Sequence, residues 1–186
     1  MFEKPIIALD RDGTLIEEGD YLTDPRRVKF LPGVILGLKR LKKAGFPVIV
    51  MSNQSGLARG FITPDQLRRV NHRFSYLLKK NKVLLDGYYW CPHAPGDRCS
   101  CRKPKLGMLK QAARELKRPW RRAVSVGDRP GDVLVGQRAG GLGILVLTGY
   151  GRRWANPPQP VTPDFTAATF LSAVEWILKK KGKDHR

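Results

Sequence analysis

The chain has 186 residues, 41% of them hydrophobic and 27% charged, which suits a packed domain and excludes wholesale disorder. No run approaches the ~18 consecutive apolar residues of a membrane-spanning helix, and the N-terminus lacks the pattern of a secretory signal, so a cytoplasmic location is expected. Against 16 Asp plus Glu stand 35 Lys plus Arg, a net charge of +19, which points to an anionic partner without choosing among nucleic acid, a membrane surface and a phosphorylated small molecule.

Residues 5–9 (Pro5-Ile6-Ile7-Ala8-Leu9) form a short continuous apolar run, as in a strand buried on both faces of a parallel sheet. The run leads into Asp10-Arg11-Asp12-Gly13-Thr14. On extended backbone, residues i and i+2 point the same way, so Asp10 and Asp12 can face one site, and Gly13 permits a sharp turn after them. Two adjacent carboxylates call for a cation, and hard oxygen ligands favour Mg²⁺. A helix is expected over 33–45, with Val34, Leu38 and Leu41 on one face and Gly45 ending it. A second strand over 47–51 is followed by Ser52-Asn53-Gln54-Ser55-Gly56-Leu57-Ala58-Arg59-Gly60. The hydroxyls, amides and glycines of that string suit a phosphate oxygen, or simply a polar loop.

The next helix is expected over 64–82, with Thr63 and Gln66 as a capping box, Pro64 at its first position, and Leu67, Val70, Phe74, Leu77 and Leu78 buried. A third strand over 86–90 meets Cys91, His93, Cys99 and Cys101. Four such ligands in one loop, about 91–101, match a closed tetrahedral Zn²⁺ site, structural rather than catalytic. That loop would fix Lys103 in Arg102-Lys103-Pro104-Lys105, whereas Lys105 reads as solvated. A helix over 105–117 and a strand over 123–126 lead to Gly127-Asp128-Arg129-Pro130-Gly131-Asp132, where Asp128 would complete the metal site with Asp10. Asp132 begins a helix over 131–139, and capping accounts for it equally well. A strand over 144–147, a Pro-rich surface excursion over 151–163, a helix over 168–181 and a basic tail over 179–186 complete the chain. The last helix would bury Phe170, Leu171, Val174, Ile177 and Leu178, while His72, His185, Trp154 and Trp176 read as structural. The alternation implies an α/β fold with a mostly parallel sheet, whose ligands bind beyond the carboxyl ends of the strands.

Taken together, Asp10-x-Asp12-Gly13-Thr14, Ser52, Lys103 and Gly127-Asp128 resemble, in order and spacing, the four motifs of the haloacid dehalogenase superfamily. The Cys91/His93/Cys99/Cys101 loop and the 53–60 string resemble its heptose bisphosphate phosphatases in particular. The related histidinol-phosphate phosphatases usually have Asp at the position of Ser55 and lack the Ala58-Arg59-Gly60 continuation. The resemblance implies a Rossmann-like three-layer sandwich, a single domain over 1–186, with a zinc-binding loop insertion. No large cap domain is expected, because only about 40 residues separate Asp12 from Ser52.

By the same resemblance Asp10 would be the nucleophile and Asp12 the general acid and base. Mg²⁺ would be held by Asp10, Asp128 and the Asp12 main-chain carbonyl. Ser52 and Lys103 would hold the phosphoryl oxygens, and Lys103 with Mg²⁺ would keep Asp10 ionised. Arg102 and Arg129 would engage a second phosphate or the sugar. Arg11, Glu18, Gly19, Asp20, Tyr21, Asn53, Gln54, Ser55 and Arg59 would line the rest of the substrate site. Arg129-Pro130-Gly131 departs from the family, which more often has Lys followed by Leu. The expected partner is a small phosphorylated sugar, the expected cofactors are Mg²⁺ and Zn²⁺, and the expected state is a monomer. Three rivals differ in what they release or bind: a histidinol-phosphate or broader sugar phosphatase, a DNA 3′-phosphatase, and a non-catalytic zinc module binding nucleic acid. Neither nucleic acid nor a membrane is the expected partner.

Overall fold

The computed structural model describes residues 3–155 and 161–183. Among the described residues six strands, β1 (Ile7–Leu9), β2 (Val48–Asn53), β3 (Gly87–Cys91), β4 (Val124–Gly127), β5 (Leu142–Val146) and β6 (Phe165–Ala167), pair in parallel in the order β3-β2-β1-β4-β5-β6. They alternate with helices α1 (Val34–Lys43), α2 (Pro64–Lys80), α3 (Gly107–Glu115), α4 (Pro130–Arg138), α5 (Gly151–Trp154) and α6 (Phe170–Lys183). The strand order reverses between β1 and β4, and a crevice opens at such a point beyond the carboxyl ends of the strands.

Side-chain parity in the strands builds three layers. Ile7 and Leu9 pack with Val48, Val50, Val124 and Val126 against Leu38 of α1, Phe74 of α2 and Phe170 of α6. Ile6 and Ala8 face the other way, with Ile49, Met51 and Tyr89, against Met108 and Leu109 of α3 and Val135 of α4. Because both faces are covered, the first strand reads as continuously apolar rather than alternating. The expected capping box of α2 is formed, with Gln66 N donating to Thr63 Oγ1 at 3.2 Å and Thr63 N to Gln66 Oε1 at 2.8 Å.

Several boundaries differ from expectation. The second strand runs on to Asn53, because β3 continues the ladder through Ser52↔Trp90 and Asn53↔Cys91. Ser52 and Asn53 therefore end a strand instead of opening a loop. α3 is shorter than 105–117: Lys105 and Leu106 belong to a turn in which Gly107 N donates to Ser100 O, and Lys117 beyond the helix has a φ of 51°. α5 and β6 fall in and beside the segment read as an excursion; β6 exists because β5 offers it a ladder, Ile144↔Phe165. Trp176 stacks on Phe165 at 4.6 Å between ring centroids, in keeping with a helix-face role. Leu77, Leu171 and Leu178 are only partly buried. Residues 156–160 of the excursion and 184–186 of the tail, with His185, lie outside the described residues.

Among the described residues no cap module interrupts the sheet: a short 3-10 turn at Pro25–Arg27 and α1 separate β1 from β2, and α2 separates β2 from β3. No described helix is long and apolar enough to cross a membrane.

Candidate active site

A cleft of about 520 Å³ opens beyond the carboxyl ends of the central strands, and every expected catalytic and substrate residue lines it, from Asp10 to Arg129. Asp128 lies directly behind, wholly buried at the end of β4. Parallel pairing of β1 with β4 is what sets Asp10 beside it.

The centre of the cleft is a buried ammonium among carboxylates. Lys103 Nζ donates to Asp10 Oδ1 at 2.5 Å and to Met51 O at 2.7 Å, and lies 2.6 Å from Asp132 Oδ1. Its backbone is pinned to the end of β2: Lys103 N donates to Asn53 Oδ1 at 3.0 Å, and Asn53 Nδ2 donates to Lys103 O at 3.2 Å. Burial works against the charge of Lys103, yet Asp10 and Asp132 hold its ammonium above the ordinary lysine value. Burial pushes the Asp10 carboxyl well up; Lys103 pulls it back, and Asp132, Asp128 and Asp12 push it further. Lys103 thus acts in the expected direction, but without a metal it does not outweigh burial. Burial and then Asp132 push Asp128 up to about 7.

That charge distribution fits a divalent cation. Carboxylate oxygens of Asp10, Asp128 and Asp132 all lie within 4.8 Å of one another. Asp128 Oδ2 accepts from Tyr150 N at 2.8 Å, while Asp128 Oδ1 is buried with no hydrogen-bond partner. Gly13 (φ 75°) and Gly149 (φ 52°) close over this carboxylate, and a Cβ at either would run into Asp128 Oδ2. Asp132 does both things its position allows, accepting from Arg129 N at 3.1 Å as a helix cap while flanking Lys103.

The Asp12 carboxylate turns aside from this cluster. It accepts from Gln54 Nε2 at 2.9 Å and Ser52 Oγ at 3.3 Å, and pairs with Arg11 at 2.9 Å. Arg11 is only 1% exposed, and its remaining nitrogen faces Asn71 and Tyr88. Arg11 and Asn53 therefore touch the cleft with their hydrogen-bonding groups already committed inside the protein. Burial pushes Tyr88 up to about 12, so its hydroxyl stays a phenol.

Cations and aromatic rings make the rim. Arg59 donates to Tyr21 OH at 2.6 Å and its guanidinium sits 4.7 Å from the Phe61 ring centroid. Arg129 lies 3.8 Å from Glu18 and 4.1 Å from the Tyr150 ring, whose hydroxyl donates to Asp20 at 2.8 Å. Gly19 and Ser55 complete the wall. Phe61 and Tyr150 were not expected from sequence, although Tyr150, just beyond β5, stands where strand-end reasoning looks; Asp132, weighed between cap and site, is both.

Cys91, His93, Cys99 and Cys101 gather as expected, with separations of 3.1 Å (Cys91–Cys101), 3.3 Å (Cys101–His93), 3.5 Å (Cys91–His93) and 3.9 Å (Cys91–Cys99). Ligands at tetrahedral Zn²⁺ bond lengths would stand roughly 3.5–3.8 Å apart, so the donor set fits that ion. Burial pushes the Cys91 thiol up to about 12, a proton that zinc ligation would displace. Arg102 Nη1 donates to His93 O at 3.1 Å, tying the cluster to the segment that carries Lys103.

A HAD-hydrolase-like family model matches residues 100–173. The chain is 41% identical over 150 residues to the D-glycero-beta-D-manno-heptose-1,7-bisphosphate 7-phosphatase of Haemophilus influenzae, covering 77% of this chain and 82% of that one. To the Yersinia pestis protein of the same name it is 36% identical over 182 residues, covering 94% and 89%. Among solved structures it resembles D,D-heptose 1.7-bisphosphate phosphatase from B. bronchiseptica complexed with magnesium and phosphate, with a TM-score of 0.84, 31% identity and coverage of 95% and 99%.

Proposed function

The chain belongs to the heptose-1,7-bisphosphate 7-phosphatase family of HAD-like hydrolases, and from that membership we propose that it hydrolyses the C7 phosphate of D-glycero-D-manno-heptose 1,7-bisphosphate. Such an activity serves the synthesis of activated heptose for surface polysaccharide. The observation that carries the reading is the Lys103 ammonium set between Asp10 and Asp132, beside the unpartnered Asp128 oxygen.

Asp10 attacks phosphorus; a bond from its carboxylate oxygen forms while the bond to the sugar oxygen breaks, and the electron pair leaves with that oxygen. Asp12 gives the departing oxygen its proton. A water then attacks the aspartyl-phosphate, passes its proton to Asp12, and releases phosphate and free Asp10. Lys103 and Ser52 hold the phosphoryl oxygens, and donors of this kind are each worth ~10²–10³ in rate. Mg²⁺, held by Asp10, Asp128 and the Asp12 main-chain carbonyl, would supply neutralisation of phosphoryl charge. Arg59, Arg102 and Arg129 suit the second phosphate, with Glu18, Asp20 and Tyr21 toward the sugar hydroxyls. Zn²⁺, held by Cys91, His93, Cys99 and Cys101, would be structural and fix the segment carrying Arg102 and Lys103. The same reading takes the chain as one domain, monomeric and cytoplasmic.

The test is inorganic phosphate release from both anomers of the heptose bisphosphate, from histidinol phosphate and from a 3′-phosphorylated oligonucleotide, with Asp10→Asn as control. Heptose bisphosphate should turn over fastest, and Asp10→Asn should abolish release. Faster turnover of either rival substrate overturns the assignment.

A further inference from the structure

Among the described residues, the proposed phosphatase mechanism leaves the buried cation Arg11 without a task. Arg11 is among the largest fully buried side chains, and a guanidinium taken out of water must have its charge and its donors matched. They are. Nε and Nη2 lie 2.9–3.2 Å from both Asp12 oxygens, a two-pronged pairing. Nη1 donates to Asn71 Oδ1 at 2.5 Å and to Tyr88 OH at 2.9 Å, and Tyr88 OH donates to Asn71 Oδ1 at 2.8 Å. Asn71 stands on α2 and Tyr88 on β3, so two rigid elements close a triangle behind the guanidinium. No nitrogen of Arg11 is left to bind a substrate.

We propose that Arg11, backed by Asn71 and Tyr88, is a positioning residue that holds the Asp12 carboxyl where it meets the leaving oxygen and, in the second step, the attacking water. The proposal rests on Asp12 being the acid and base of the proposed phosphatase. Once Asp12 has given up its proton it is a carboxylate, and the fork behind it matches that charge across both oxygens. A lysine ammonium is a point charge, unable to span the two oxygens and reach Asn71 and Tyr88 together.

Leaving-group chemistry separates this role from a merely structural one. A sugar alkoxide needs its proton as the P–O bond breaks, whereas p-nitrophenolate departs without one. The experiment is kcat and KM for wild type, Arg11→Lys, Tyr88→Phe and Asp12→Asn on the heptose bisphosphate and on p-nitrophenyl phosphate. Arg11→Lys should lower kcat/KM, which covers the step that expels the leaving group and not the shared hydrolysis of the aspartyl-phosphate, ~100-fold on the sugar substrate, the cost of a small misplacement, and at least tenfold less on the aryl phosphate. Tyr88→Phe, which removes one hydroxyl and spares the fold, should shift the same ratio about tenfold, the scale of one hydrogen bond. Asp12→Asn should show the largest preference for the aryl substrate.

Equal losses of kcat/KM on both substrates in Arg11→Lys and Tyr88→Phe overturn the proposal in favour of a structural arginine. A raised KM with kcat intact overturns it in favour of a substrate contact. If Asp12→Asn itself shows no leaving-group preference, the acid–base reading falls and this proposal with it. If Asp12→Asn shows one and the other two variants do not, only this proposal fails.

Discussion

Lys103→Met removes the ammonium at the centre of the cleft while keeping an unbranched side chain of similar length. Two ion pairs disappear with it, at 2.5 Å to Asp10 and 2.6 Å to Asp132, both carboxylates about as buried as the lysine itself. At an effective dielectric of ~20 each is an attraction of roughly 6–7 kcal/mol before desolvation is charged against it. Breaking such a buried pair costs ~3–5 kcal/mol, because the stranded carboxylates keep their desolvation without a partner. Burial already drives Asp10 and Asp128 toward protonation, so the variant relieves part of the cost by binding protons. The loss should therefore be about 3 kcal/mol at pH 8 in EDTA and smaller at pH 5. On the proposed mechanism the variant loses a phosphoryl-oxygen donor and an ionised nucleophile together, which should lower kcat by at least ~10³. Urea unfolding midpoints with EDTA and with saturating Mg²⁺, at constant slope, measure the first effect. Phosphate release measures the second. Mg²⁺ should restore part of the stability and little of the turnover. A variant as stable as wild type in EDTA at pH 8, or one keeping a tenth of kcat, would refute this role for the central ammonium.

Three further outcomes are expected. In metal-free protein the Asp128 carboxyl titrates near 7 when folded against 3.8 as its ordinary value, so the folded state holds the extra proton and stability falls as pH rises through that window. The contribution is at most ~4 kcal/mol; it should appear as a difference in slope between wild type and Asp128→Asn in EDTA, and parallel curves would contradict it. Gly149→Ala forces a Cβ against Asp128 from a backbone φ of 52°, so the Mg²⁺ needed for half-maximal activity should rise and kcat fall ~100-fold; an unchanged Mg²⁺ titration would remove Asp128 from the metal site. Cys101→Ser should abolish bound zinc by elemental analysis and lower Tm by about 6–12 °C for a loss of ~3 kcal/mol. A wild-type protein that purifies without zinc and melts unchanged after chelation would exclude the structural zinc.

Readings that depend on near neighbours in the chain were legible. The apolar run before Asp10, the Thr63/Gln66 box and the Cys91–Cys101 spacing each turn on interactions spanning a few residues, and each stands where expected. Boundaries set by a partner strand were not. Nothing local distinguishes Phe165–Ala167 from a loop until β5 supplies its ladder, and the second strand extends to Asn53 only because β3 pairs with it that far.

The site divides along the same line. Strand-end reasoning put Asp10, Asp12, Ser52 and Asp128 at one edge, because a parallel sheet sends all its carboxyl ends there, while Lys103 was reached through the zinc loop beside it and the family resemblance. What each side chain does there depended on burial and on partners far along the chain. Arg11 and Asn53 looked like groups facing a ligand, and packing against α2, β3 and the Lys103 backbone turned their donors inward. Asp132 was balanced between cap and site until Lys103 came within 2.6 Å and made it both. By itself the sequence determined which chemistry the chain carries and where along it, since residue type and short-range spacing are local properties. Only the tertiary structure decided which charges are buried together, and hence which carboxyls are pushed up and which is paired with Arg11, because those energies depend on desolvation and on neighbours that folding alone supplies.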